Sequence, residues 1–111
     1  LKTRFLLAAG GVLLSILLGA GCESTTPSAP PVTAAVINAG AKAHVTQQQL
    51  TEGRSLFVTR CIECHVLPVI SEHPAAEWPG LVDKMAKRAE LKPNEHDAVT
   101  AYILAVHAQR R

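Results

Sequence analysis

A chain of 111 residues with a formal net charge of +2 and 48% hydrophobic residues has room for at most one modest domain. Lys2 and Arg4 account for the whole charge excess, since nine basic and nine acidic residues remain beyond them. The basic balance is therefore no argument for a nucleic-acid partner, and no stretch interleaves aromatic and basic residues as such a surface requires.

The first element in chain order is the uncharged run Phe5 to Gly21, "FLLAAGGVLLSILLGAG", preceded by those two basic residues. A positive start, an apolar stretch and small residues before a cleavage point make a secretory signal, whereas a membrane-spanning helix wants about 20 apolar residues. Residues 1–21 are expected to be a signal peptide, and the mature protein to be exported to the periplasmic side. The small residues end at Cys22, and "LLGAGC" resembles the lipobox of bacterial lipoproteins, in which the cysteine becomes lipidated after cleavage. Gly19 stands where that family usually has leucine, with Leu18 one place upstream, so ordinary cleavage nearby is the alternative.

Residues 22–45 are rich in Ser, Thr, Pro and Ala and nearly free of large apolar side chains. Too little apolar surface is available there to offset the entropy of ordering, which predicts a flexible linker between the Cys22 anchor and a folded part at 46–111. Thr46 followed by Gln49 has the spacing of a capping box and opens a helix expected over Gln47 to Cys61. Three prolines then mark an irregular connection, "HVLPVISEHPAAEWPG". A second helix is expected in "PGLVDKMAKRAEL", with Leu81, Val82, Met85 and Ala89 on one face. A third follows in "PNEHDAVTAYILAVHAQ", where Val99, Tyr102, Ile103 and Val106 recur at helical spacing and Pro93 suits the first turn. No run alternates as a strand would. The expected fold is all-α, with about three helices, and so small a domain often needs a staple beyond hydrophobic burial.

"CIECH" is the candidate staple. A Cys-x-x-Cys-His run on an exported chain is the signature of c-type haem attachment. Thiols one helical turn apart can each form a thioether to the two vinyl groups on one edge of the porphyrin, and the adjacent histidine reaches the iron. Cys61, Cys64 and His65 take those roles. Other chemistries use similar residues, and each fits less well. A zinc site needs four ligands, typically with a second pair at similar spacing, and only His44, His73, His96 and His107 remain, scattered. A disulfide three residues wide closes too short a loop to staple much of a fold, and a thioredoxin-like dithiol belongs in an α/β setting.

With these residues in view, positions 46 to 109 resemble the class I c-type cytochromes. Gly53 and Phe57 precede Cys61 at four-residue steps, and Tyr102 lies in the last helix. The resemblance implies that the glycine lets the first and last helices cross closely while the two aromatics pack at the crossing. It further implies one covalent haem c and a methionine on the iron opposite His65. Met85 is the single methionine in the chain, so it is the expected ligand, with His73 as its rival. His96 and His107 are expected to be exposed helix residues and His44 to sit at the edge of the linker. Metal-bound histidines generally donate their other ring N–H to an acceptor, a role the resemblance gives to a proline carbonyl, that of Pro68 or the more distant Pro74. Trp78 is expected to cover a haem edge, to donate its indole N–H to a propionate, or simply to be buried.

Iron held by both His65 and Met85 has no open position. The resemblance therefore implies a carrier of single electrons between redox protein partners, not an enzyme, with no small-molecule substrate. A five-coordinate haem module that binds a small gas, or a haem subunit of a larger oxidoreductase complex, would carry the same attachment motif. Lys84, Lys87, Arg88 and Lys92 form a basic rim for docking, or a merely solvated helix face.

Overall fold

The computed structural model describes residues 28–63 and 66–111, and all regular structure among them is helical. Four α-helices follow in order: α1, Ala34–Lys42; α2, Gln47–Arg60; α3, Trp78–Arg88; and α4, Pro93–Ala108. The all-α expectation holds, with one helix more than the sequence suggested. The expected signal peptide at 1–21 and the expected lipidation at Cys22 lie outside the described residues, as do Cys64 and His65.

Helix α2 begins where its capping pattern requires. The Gln49 N–H donates to Thr46 Oγ1 at 3.2 Å while Gln49 Oε1 accepts from the Thr46 N–H at 2.9 Å, so two helix-start donors are satisfied reciprocally. Beyond Arg60 the chain tightens into a 3-10 turn over Cys61–Glu63. Helix α4 opens on Pro93, whose missing N–H costs nothing at the first position, and the Glu95 carboxylate accepts from the Lys92 N–H at 2.8 Å.

Helix α4 is the hub against which α1, α2 and α3 all pack. That explains why its buried side chains, Ala98, Val99, Tyr102, Ile103, Ala105 and Val106, cover more than one stripe. At the α2–α4 crossing Gly53 brings the backbones together: an added Cβ would lie 2.6 Å from the Ala98 carbonyl carbon and 2.8 Å from Tyr102 Cβ. One turn further, the Phe57 and Tyr102 rings meet with centroids 6.0 Å apart at 50°. Both features match what the resemblance implied for these residues.

The flexible linker expected over 22–45 requires correction across 28–45. Ala29 is fully buried, and its carbonyl and that of Pro30 accept from the Arg54 guanidinium at 3.1 Å each. The Tyr102 hydroxyl donates to the same Pro30 carbonyl at 2.6 Å, and burial pushes that phenol up to about 12. Helix α1 then lays Val36 and Gly40 into the core, and Gly40 leaves room for the Leu50 side chain. The helix ends in a Schellman turn: the N–H groups of His44 and Val45 donate to the Ala41 and Gly40 carbonyls at 3.0 and 2.9 Å. His44 takes the left-handed position at φ 59°, so it makes a turn and is not the edge of a tether. Glu90 plays the same part after α3 at φ 52°. Among the described residues no helix is long and apolar enough to cross a membrane.

Candidate functional site

Over residues 66–77 the connection from α2 to α3 contains two further 3-10 turns, Ile70–Glu72 and Ala75–Glu77, which give that part of the proline-rich stretch a defined course. Ile70 is buried beneath it, and Trp78, fully buried at the start of α3, donates its indole N–H to the Ile70 carbonyl at 3.1 Å. This corrects one expectation for Trp78: its N–H is engaged by the backbone and is not directed to a propionate. The ring still serves as a wall.

Between this connection, the end of α2 and one face of α3 lies a cavity of about 320 Å3, at the lower end of the range of small-molecule sites. Cys61, at the C-terminal end of α2 and only 7% exposed, stands at one side. Leu81, Lys84, Met85 and Arg88 line another, because steps of three and four residues bring them to one face of α3. Pro68 and His73 come from the connection, and Trp78 and Ala89 complete the apolar wall. Arg60 donates to the Ala89 carbonyl and so ties the end of α2 to the end of α3.

The structure thus gathers Cys61, Pro68, Trp78 and Met85 around one space, and His73 with them. Pro74 is exposed and does not line the cavity, which leaves Pro68 as the proline at the site. The basic rim divides. Lys84 and Arg88 border the cavity, joined by Arg60, which sequence reasoning did not single out. Lys87 lines a separate cleft with Asp83 and His96, and Lys92 stands at the start of α4.

The remaining histidines are not the exposed residues expected. His96 is half-buried and bridges α4 to α3, with Nε2 2.6 Å from Asp83 Oδ1 and Nδ1 3.2 Å from Asp97 Oδ1. Those carboxylates, Asp97 first, hold its pKa above the ordinary imidazole value of 6.5. His107 is also half-buried, and its Nε2–H donates to the His73 carbonyl at 2.9 Å. The only sequence signal for that contact was a histidine on the flank of an otherwise apolar face of α4.

The donor set suits a haem in kind. Cys61 is a buried thiol that could tether it, Met85 and His73 bring a thioether and an imidazole that could ligate iron, the walls are apolar, and the cationic Arg60, Lys84 and Arg88 would suit its carboxylates. Among the described residues no group of three or more His, Cys, Asp or Glu side chains is arranged to hold a metal ion. No family model, no curated protein and no solved structure matches this chain.

Proposed function

We propose that this protein is an electron-transfer carrier with one covalent haem c, held through Cys61 and Cys64 and ligated by His65 and Met85. One observation carries the reading: Cys61, the first cysteine of the attachment run, lines the same apolar cavity as Met85 on α3, although the proline-rich connection separates them in sequence. The Gly53 crossing and the Phe57–Tyr102 contact support the resemblance on which the ligand assignment rests.

When bound, the haem supplies a one-electron couple. The chain does the rest. Cys61 and Cys64 would keep the group attached, and His65 and Met85 would both ligate its iron and so leave no place for a substrate. Trp78, Leu81 and Ala89 exclude water from its surroundings. A methionine ligand and a low-dielectric wall both favour the less charged, reduced state and so raise the potential. Arg60, Lys84 and Arg88 offer positive charge to carboxylates at the rim. Ile62 and Val66, 54% and 86% exposed, bracket the Cys64–His65 step in the chain and offer apolar contact to a redox protein partner.

Visible spectra of the purified protein, oxidised, reduced and then exposed to carbon monoxide, test the reading. Haem that remains on the denatured chain, with a reduced spectrum unchanged by carbon monoxide, is expected. Absence of covalent haem refutes the proposal, and carbon monoxide binding replaces it with the five-coordinate module. Export and anchoring rest on the leader and on Cys22. Cys22→Ala should move the protein from the membrane fraction to the soluble periplasm, and retention in the membrane would exclude a lipid anchor.

A further inference from the structure

We infer that His107 is a positioning residue that keeps His73 from taking the place of Met85 at the iron. The inference rests on the proposed haem ligation. Two potential ligands, a thioether and an imidazole, line one cavity, so something in the chain has to decide between them. Imidazole is the stronger donor toward ferric iron, and His73 sits on a connection whose regular structure, among the described residues, is limited to short 3-10 turns.

Three restraints act on His73. Its carbonyl accepts from His107 Nε2–H at 2.9 Å, which fastens the connection to the last turn of α4. Its ring stands edge-on to Trp78, with centroids 5.4 Å apart at 81°. Its Nδ1 lies 3.4 Å from Glu77 Oε2, too long and too exposed to hold the ring alone. The His107 bond is the shortest of the polar contacts and the one that reaches the connection from a different part of the fold. Trp78 fastens the same stretch a little earlier through the Ile70 carbonyl. Between these two points the backbone has little freedom to carry the His73 imidazole deeper into the cavity. Loss of the His107 donor leaves the His73 carbonyl without its partner and frees that half of the connection.

The test compares His107→Leu and His107→Asn, which cannot reach the carbonyl, with His107→Gln, whose amide nitrogen can stand where Nε2 does. The release variants should lose the far-red sulfur-to-iron absorption of the oxidised protein and show a lowered reduction potential without gaining carbon monoxide binding. His107→Gln should keep the wild-type spectrum. Adding His73→Ala to His107→Leu should bring the sulfur band back, a rescue that general damage to the fold would not give. Hydrogen exchange gives a readout independent of the iron. The Glu72 and Glu77 amides, bonded to the Val69 and Pro74 carbonyls at 3.0 Å, should exchange faster in the release variants only. A wild-type protein without the sulfur band would refute the Met85 ligation and this inference with it. A wild type that has the band, with release variants that keep both the band and amide protection, would refute the positioning role alone. Failure of His73→Ala to restore the band would do the same.

Discussion

Replacement of Gly53 by alanine tests whether the α2–α4 crossing is as close as the structure has it. The new Cβ would meet the Ala98 carbonyl carbon at 2.6 Å, the Ala98 carbonyl oxygen closer still, and Tyr102 Cβ at 2.8 Å, all short of the 3.4 Å where ordinary contact begins. Two of those atoms belong to the backbone of the hub helix and cannot rotate away, so α2 has to move off α4 and loosen the Phe57–Tyr102 contact as it goes. Overpacking of this kind costs about 1–3 kcal/mol, and the aromatic pair accounts for about another 1 kcal/mol. Against that, alanine is favoured over glycine in a helix interior by about 1 kcal/mol. The expected net loss is about 2 kcal/mol, which for a domain of this size lowers the melting temperature by roughly 8–16 °C. Thermal and urea unfolding followed by helical circular dichroism measures it. A variant as stable as the parent, or about 1 kcal/mol more stable as an exposed helix glycine would give, refutes the close crossing.

Met85→Ala should abolish the sulfur-to-iron absorption and open the iron to carbon monoxide; an unchanged spectrum would return Met85 to a packing role on α3. His96 supplies a pH prediction. Its folded-state pKa lies above 6.5, so its contribution is fully present below 6.5 and is lost as pH rises through the raised folded value. Stability should therefore fall across that window, and His96→Gln should flatten the fall; an identical pH profile in the variant would show that the Asp83 and Asp97 contacts carry no linkage.

Helices α2 and α4 were legible because their signals are local. A capping box, a proline at a first turn and apolar residues at steps of three and four act within one helix, and their positions in the structure follow the sequence closely. Gly53 was legible for a related reason: a glycine in a helix interior carries a cost that asks for a close neighbour, and Ala98 is that neighbour. The proposed haem attachment rests on the spacing of Cys61, Cys64 and His65 in the sequence, and Cys64 and His65 lie outside the described residues.

What only the tertiary structure decided are the contacts that span long stretches of chain. Helix α1 has too little apolar surface to announce itself. It is ordered by what it meets: Val36 and Gly40 against the core, and Arg54 and Tyr102 gripping the carbonyls of Ala29 and Pro30 just before it. Trp78 was visible as a large ring near the site, but its donor belongs to the Ile70 carbonyl, a partner set by the course of a proline-rich connection. The same holds for His107 and the His73 carbonyl, and for the convergence of Cys61 with Met85 on one cavity. Local pattern determines where a helix starts and which face is apolar, since those depend on neighbours within a turn. Which faces meet, and which polar groups are left to pair across them, depends on how the elements pack around α4.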